Sequence, residues 1–372
     1  MKTLTSVGTV LSVLVMSSVA LAQAPASAPA AASSQPAPHK LVMPPGFKVI
    51  QVNGRNALCE PVDEAWVTTA LSKIPSNPKP STQPANILAK LSAQREAIIR
   101  AMMADLSTND PVPLAKEYDS TLTPSIRELD NLHPSIYFLV VSPERLSALM
   151  RSGWTDPRLS YNRAADSVSF TFASMLATDR PMDDLVFPAT YNPKDPPEKH
   201  GDAITASVNG FEGFIAREID TRARLLLGSG MAQIIIKNAF EPLKPKADQE
   251  WFGIGVASIL SAKYVALITG EKRDDLVRSL IYEPPQMPLK MSAIDLLHPT
   301  DLKNMVPQAV PAYLDTMRRK SSVAVEYLIE KGNGDGAIAK AIATFRDKKP
   351  ADGTALIKDI KDATGVDLAP AM

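Results

Sequence analysis

Four histidines and a single cysteine are the side chains from which a zinc site or a strong nucleophile would have to be built. His39 sits in an Ala/Pro/Ser-rich stretch, and His133 and His298 each precede a proline in a predicted loop. None has a second histidine one helical turn away, so a conventional metal site finds no support in the spacing. His200 belongs to YNPKDPPEKHGD, Tyr191–Asp202, together with Asp195, Glu198 and Asp202. This reads as a solvated surface loop, with a regulatory cation site as the functional alternative. Cys59, within an apolar run, reads as a buried strand residue rather than a nucleophile. Gly228-Ser229-Gly230 lacks the G-x-S-x-G elbow of a serine hydrolase and falls inside a predicted helix. Asp248 and Glu250 read as acidic charge at a helix N-terminus. A carboxylate pair for glycoside chemistry stays open, because such a pair is set in three dimensions.

The elements that would position these groups begin after an export signal. Lys2, an apolar run from Val7 to Leu21 and Ala20-Leu21-Ala22 together predict a signal peptide cleaved after Ala22. The mature chain is then exported, periplasmic or secreted, without a stable membrane span. One cysteine excludes an internal disulfide, so packing must supply the stability. With 40 basic and 40 acidic residues, the chain has no surplus of charge with which to track nucleic acid. Arg318-Arg319-Lys320 reads as a solvated helix face.

Residues 23–43 read as an Ala/Pro-rich tether. Phe47–Val52 alternates with period two, Asn53-Gly54 is a hairpin turn, and Arg55–Glu60 pairs back. Short and long helices are expected at Trp66–Lys73 and Ala85–Leu106, which completes a small α+β lobe over 44–130. A second block over 131–368 opens with the apolar strand Ile136–Val141 and a short helix from Glu144 to Met150. Strands follow at Ser167–Phe172 and Asp184–Pro188, then helices over 211–240, 249–270 and 308–368. Gly332-Asn333-Gly334-Asp335-Gly336 follows a helix and reads as a cap and linker, not a phosphate loop. Strands first and helices afterwards point to an α+β fold, a small mixed or antiparallel sheet followed by a mainly helical subdomain.

Three segments in order over about residues 135–368 carry a resemblance. They are the helix LLLGSGMAQIIIKNAF (Leu225–Phe240), the helix start QEWFGIGVAS (Gln249–Ser258), and the C-terminal helices of Ser321–Leu368. Together they resemble the gluzincin, peptidase-MA-like group of zinc metallopeptidases. The resemblance implies that Ser229 and Gln233 stand where that family has its two zinc histidines. Gly230 would stand at the general base, and Ile254 at the third, glutamate ligand. No residue of Leu225–Phe240 is a His, Asp, Glu or Cys, so no shift of register restores a ligand.

A serine, an amide and an isoleucine cannot hold zinc, and glycine cannot take a proton from water. The expectation is therefore a non-catalytic relative with neither metal nor cofactor. It would use the degenerate cleft around Ser229, Gly230, Gln233 and Ile254 to bind a peptide, an envelope component or a protein partner. Two other readings stay open: a hydrolase with unrecognised, non-zinc chemistry on the same scaffold, and a structural subunit of an envelope complex. Glycine inside a helix costs about 1 kcal/mol relative to alanine, so Gly228 and Gly230 call for a close backbone neighbour.

Overall fold

A computed structural model describes residues 41–75, 82–130, 135–156, 159–170, 184–278 and 290–372. The expected signal peptide, His39 and His133 lie outside these residues. Leu41 and Val42, inside the expected tether, are bonded to the fold. The Leu41 backbone N–H donates to Asp184 at 3.0 Å, and the Trp154 indole donates to the Val42 carbonyl at 2.9 Å.

The chain forms an α+β structure in two compact units. One comprises residues 25–83 and 128–222, the other 84–127 and 223–372. This division differs from the expected split at residue 130, and hydrogen bonding gives the reason. The N-terminal hairpin pairs with the later strands, while the helices of residues 84–127 pack with the C-terminal ones.

In the α/β unit, β1 (Lys48–Val52) and β2 (Arg55–Cys59) form the expected hairpin. Asn53 and Gly54 both take positive φ, 49° and 76°, as its tight turn requires. β2 pairs in parallel with β3 (Ile136–Val141), and β3 in parallel with β6 (Leu185–Thr190), giving the order β1-β2-β3-β6. β4 (Leu159–Asn162) and β5 (Ser167–Phe170) make a separate ribbon. β3 is apolar on both faces because both are covered. Phe138 and Val140 pack with Cys59 and with Val67 and Leu71 of α1 (Glu64–Ser72). Leu139 and Val141 pack with Leu146 and Leu149. Those two belong to α4 (Pro143–Arg151), which Ser142 caps at the Arg145 N–H. Cys59 is buried, and burial pushes its thiol up to about 11, so it is an inert core thiol. Arg55 forms a two-pronged ion pair with Glu212, at 2.7 and 2.9 Å.

The long helix α5 (Pro197–Ile235) starts earlier than expected, within the polar Tyr191–Asp202 stretch. Pro196 and Pro197 supply the start, since proline is tolerated in a first helical turn. Ile204, Val208, Phe211, Ile215 and Ile219 form one apolar stripe against the sheet.

The helical unit contains α2 (Thr82–Asp105) and α3 (Pro111–Asp130), followed by the end of α5 and then α6 (Glu250–Thr269). α7 (Arg273–Val277), α8 (Val310–Lys331), α9 (Gly336–Lys348) and α10 (Gly353–Thr364) complete it. α6 is long and apolar enough to cross a membrane, yet 72% of its most apolar stretch is buried inside the protein. A helix apolar all round suits the centre of a core. Its lone lysine, Lys263, reaches Asp105 and Asp335, each at 2.7 Å, and the Tyr264 hydroxyl donates to Asp105 at 2.8 Å. Asp335 opens α9, so the expected cap and linker also holds an ion pair. Gly255 lets α8 approach α6: a Cβ there would lie 2.3 Å from the Ser321 carbonyl oxygen.

Arg318, Arg319 and Lys320 are not the solvated face expected of them. Both arginines pair with Asp315, at 2.8 and 2.7 Å, and Lys320 donates to the Ile294 carbonyl at 2.6 Å.

Candidate functional site

The four positions singled out by sequence do not share one environment. Gly230 is buried, and a Cβ on it would lie 2.6 Å from Cδ2 of Leu122 on α3. The close neighbour that the glycine called for is thus an apolar side chain, and the space beside Gly230 is filled. Ser229 is half-buried, Gln233 is exposed, and Ile254 is 4% exposed within the core. Gln233 therefore faces solvent while Ile254 faces packed side chains.

The other sequence candidates are placed as follows. His200 lies in the first turns of α5 rather than in a loop. Its ring centroid is 4.7 Å from Tyr191 and 5.7 Å from Trp66, so it packs rather than floats. Asp63 joins this cluster, accepting from the Trp66 indole at 2.9 Å and the Tyr191 hydroxyl at 3.4 Å. Burial, reinforced by Asp63, pushes the Tyr191 hydroxyl up to about 12. His298 pairs with Asp295 at 3.0 Å in the open. Among the described residues, no group of three His, Cys, Asp or Glu side chains converges as metal ligands would.

Glu250 stands in the first turn of α6, as expected of a helix N-terminal acid, but its side chain is buried. It is 3% exposed, and burial pushes its carboxyl up to about 8. Burial therefore favours its protonated, neutral form. Asp248 accepts from the Gly353 N–H at 2.6 Å, and Gln249 donates to the Pro350 carbonyl at 2.8 Å. These bonds clamp the start of α6 onto the start of α10.

A cleft in the helical unit lies just beyond Gln233 along the chain. α5 passes without a break into a π-helical turn, Ile236–Phe240, and then a 3-10 turn, Glu241–Leu243. Pro242 ends the regular ladder because it has no N–H to give. Phe240 is fully buried, and Gly253 on α6 makes room for its ring, with a Cβ there only 3.0 Å from Cγ. Residues 237–239, 242 and 243 form one side of a cleft of about 610 Å³, and residues of 106–117 and Arg346 form the rest. A π turn of this kind is one way for a helix to end.

Both apolar and charged groups line this cleft. Val112, Pro113, Pro242 and Leu243 contribute apolar surface, Val112 being 68% exposed, while Leu106 and Leu114 are almost fully buried beneath them. Lys237 pairs with Glu117 at 2.7 Å across it. Arg346 donates to the carbonyls of Ser107 and Leu106 at 2.7 and 3.1 Å, capping the end of α2. Asp110 accepts from the Val112 N–H at 2.9 Å, capping α3.

Sequence reasoning missed this region because it assigned no helix to residues 111–130. The signal was present. Asp110 and Pro111 form a helix start, and Leu114, Tyr118, Leu122 and Ile126 recur every fourth residue and are all buried. Nothing comparable announces the π turn. No family model matches the chain, and no curated protein or solved structure is significantly similar to it.

Proposed function

We propose that the protein is an exported, non-catalytic binding protein whose working site is the cleft beside the π turn. The reading joins two lines of support. The N-terminal residues have the pattern of a secretory signal, and the segments of α5 and α6 resemble, in order, those of a gluzincin core with every ligand position substituted. The observation that carries the reading is where space remains. Gly230, which stands at the general-base position, is closed by Leu122, while a ligand-sized cleft opens one turn past Gln233. In this view the scaffold no longer presents a reaction centre at the centre of the helix. A binding surface lies at its end instead.

Metal analysis of the purified, dialysed protein, together with a broad peptidase assay, tests the non-catalytic part. The expected result is no stoichiometric zinc and no peptide turnover. One zinc per chain that survives dialysis and supports peptide hydrolysis would overturn it.

A further inference from the structure

We infer that the cleft takes a small apolar molecule carrying one anionic group, such as a medium-chain carboxylate. The inference rests on the reading of this cleft as the working site and adds the chemistry of its occupant. A volume of about 610 Å³ falls within the range of small-molecule pockets, roughly 300–1,000 Å³. The apolar lining suits a hydrocarbon body.

Charge decides the head group. The cleft has three cations, Lys116, Lys237 and Arg346, against two carboxylates, Asp110 and Glu117. Glu117 is neutralised by Lys237, whereas Asp110 caps α3 through a neutral N–H, which leaves one carboxylate without an ion pair against two such cations. The cations are less satisfied. Arg346 uses its terminal nitrogens on neutral carbonyls, and neither it nor Lys116 forms an ion pair among the described residues. An incoming carboxylate would find an unneutralised cation at hand. An incoming ammonium would meet a net positive lining, with Asp110 as its one carboxylate that holds no ion pair among the described residues.

Calorimetric titration of the full mature chain with decanoate, 1-decanol and decylamine, below their micellar concentrations at pH 7.5, tests this directly. Decanoate should bind once per chain, with decanol about fivefold weaker and decylamine weaker still. Lys116→Glu changes an exposed residue, so the fold should persist. It should weaken decanoate about five- to tenfold while leaving decanol unchanged. Leu243→Trp should fill the cleft and abolish binding of both. Equal affinity for all three ligands, or indifference of decanoate to Lys116→Glu, would overturn the anionic inference. The cleft would still stand as a site if Leu243→Trp blocked binding. Failure of every ligand to bind the wild type, or binding unaffected by Leu243→Trp, would remove the cleft itself.

Discussion

The interior of the helical unit and the cleft at the end of α5 solve opposite problems with neighbouring stretches of one chain. In the interior, missing side chains bring helices together: Gly230 admits Leu122, Gly253 admits Phe240, and Gly255 admits the backbone of Ser321. At the cleft, the helix changes its hydrogen bonding, and charged side chains line the space beside it. Close approach through glycine consumes room and leaves no tolerance for an added atom. A π turn followed by proline stops the regular helix and leaves room that solvent or a ligand can fill.

The contrast can be sharpened from the interior outward. Glu250 should give the largest effect, as a function of pH. Its carboxyl is raised from an ordinary 4.5 to about 8 in the folded chain, so between those values the folded state keeps a proton that the unfolded state has lost. Stability should fall as pH rises through that window, by at most about 5 kcal/mol, and level off above it. Urea unfolding of Glu250→Gln should show this slope flattened and the variant gaining on the wild type at pH 8. An unchanged slope would mean that the carboxyl is solvated.

Gly255→Ala comes next. The added methyl group meets a backbone oxygen, which cannot swing aside as a side chain can, so a loss of about 2–3 kcal/mol is expected despite the better helix propensity of alanine. A thermal or denaturant midpoint equal to that of the wild type would show that α6 and α8 are not in close contact there. Smallest is Gln233→Ala, at an exposed position, where a change within about 0.5 kcal/mol is expected. A loss of 2 kcal/mol or more would place Gln233 in the closed interior after all.

Much of the fold could be read from local pattern. The β1–β2 hairpin followed from alternation and Asn53-Gly54, and the all-apolar Ile136–Val141 was readable as a central strand because helices cover both its faces. The boundary of α5 was not legible, because Tyr191–Asp202 has a loop-like composition even where Pro197 starts a helix. Assignment of residues 84–127 to the helical unit was out of reach for a different reason: sequence order says nothing about which core a helix joins. The glycines of Leu225–Phe240 were legible as a demand for a close neighbour, but the identity of Leu122 was not. The π turn left no trace, since the same residues would serve as an ordinary helix end.

The burial of α6 has a consequence for the order of synthesis. Its most intimate partner, α8, begins about 40 residues after α6 ends, so a ribosome finishes a greasy twenty-residue segment well before the surface that shields it exists. During that interval the nascent chain offers a sticky stretch to any passing neighbour, and premature self-association competes with correct assembly. A holding chaperone acting on the growing polypeptide would find its natural grip there.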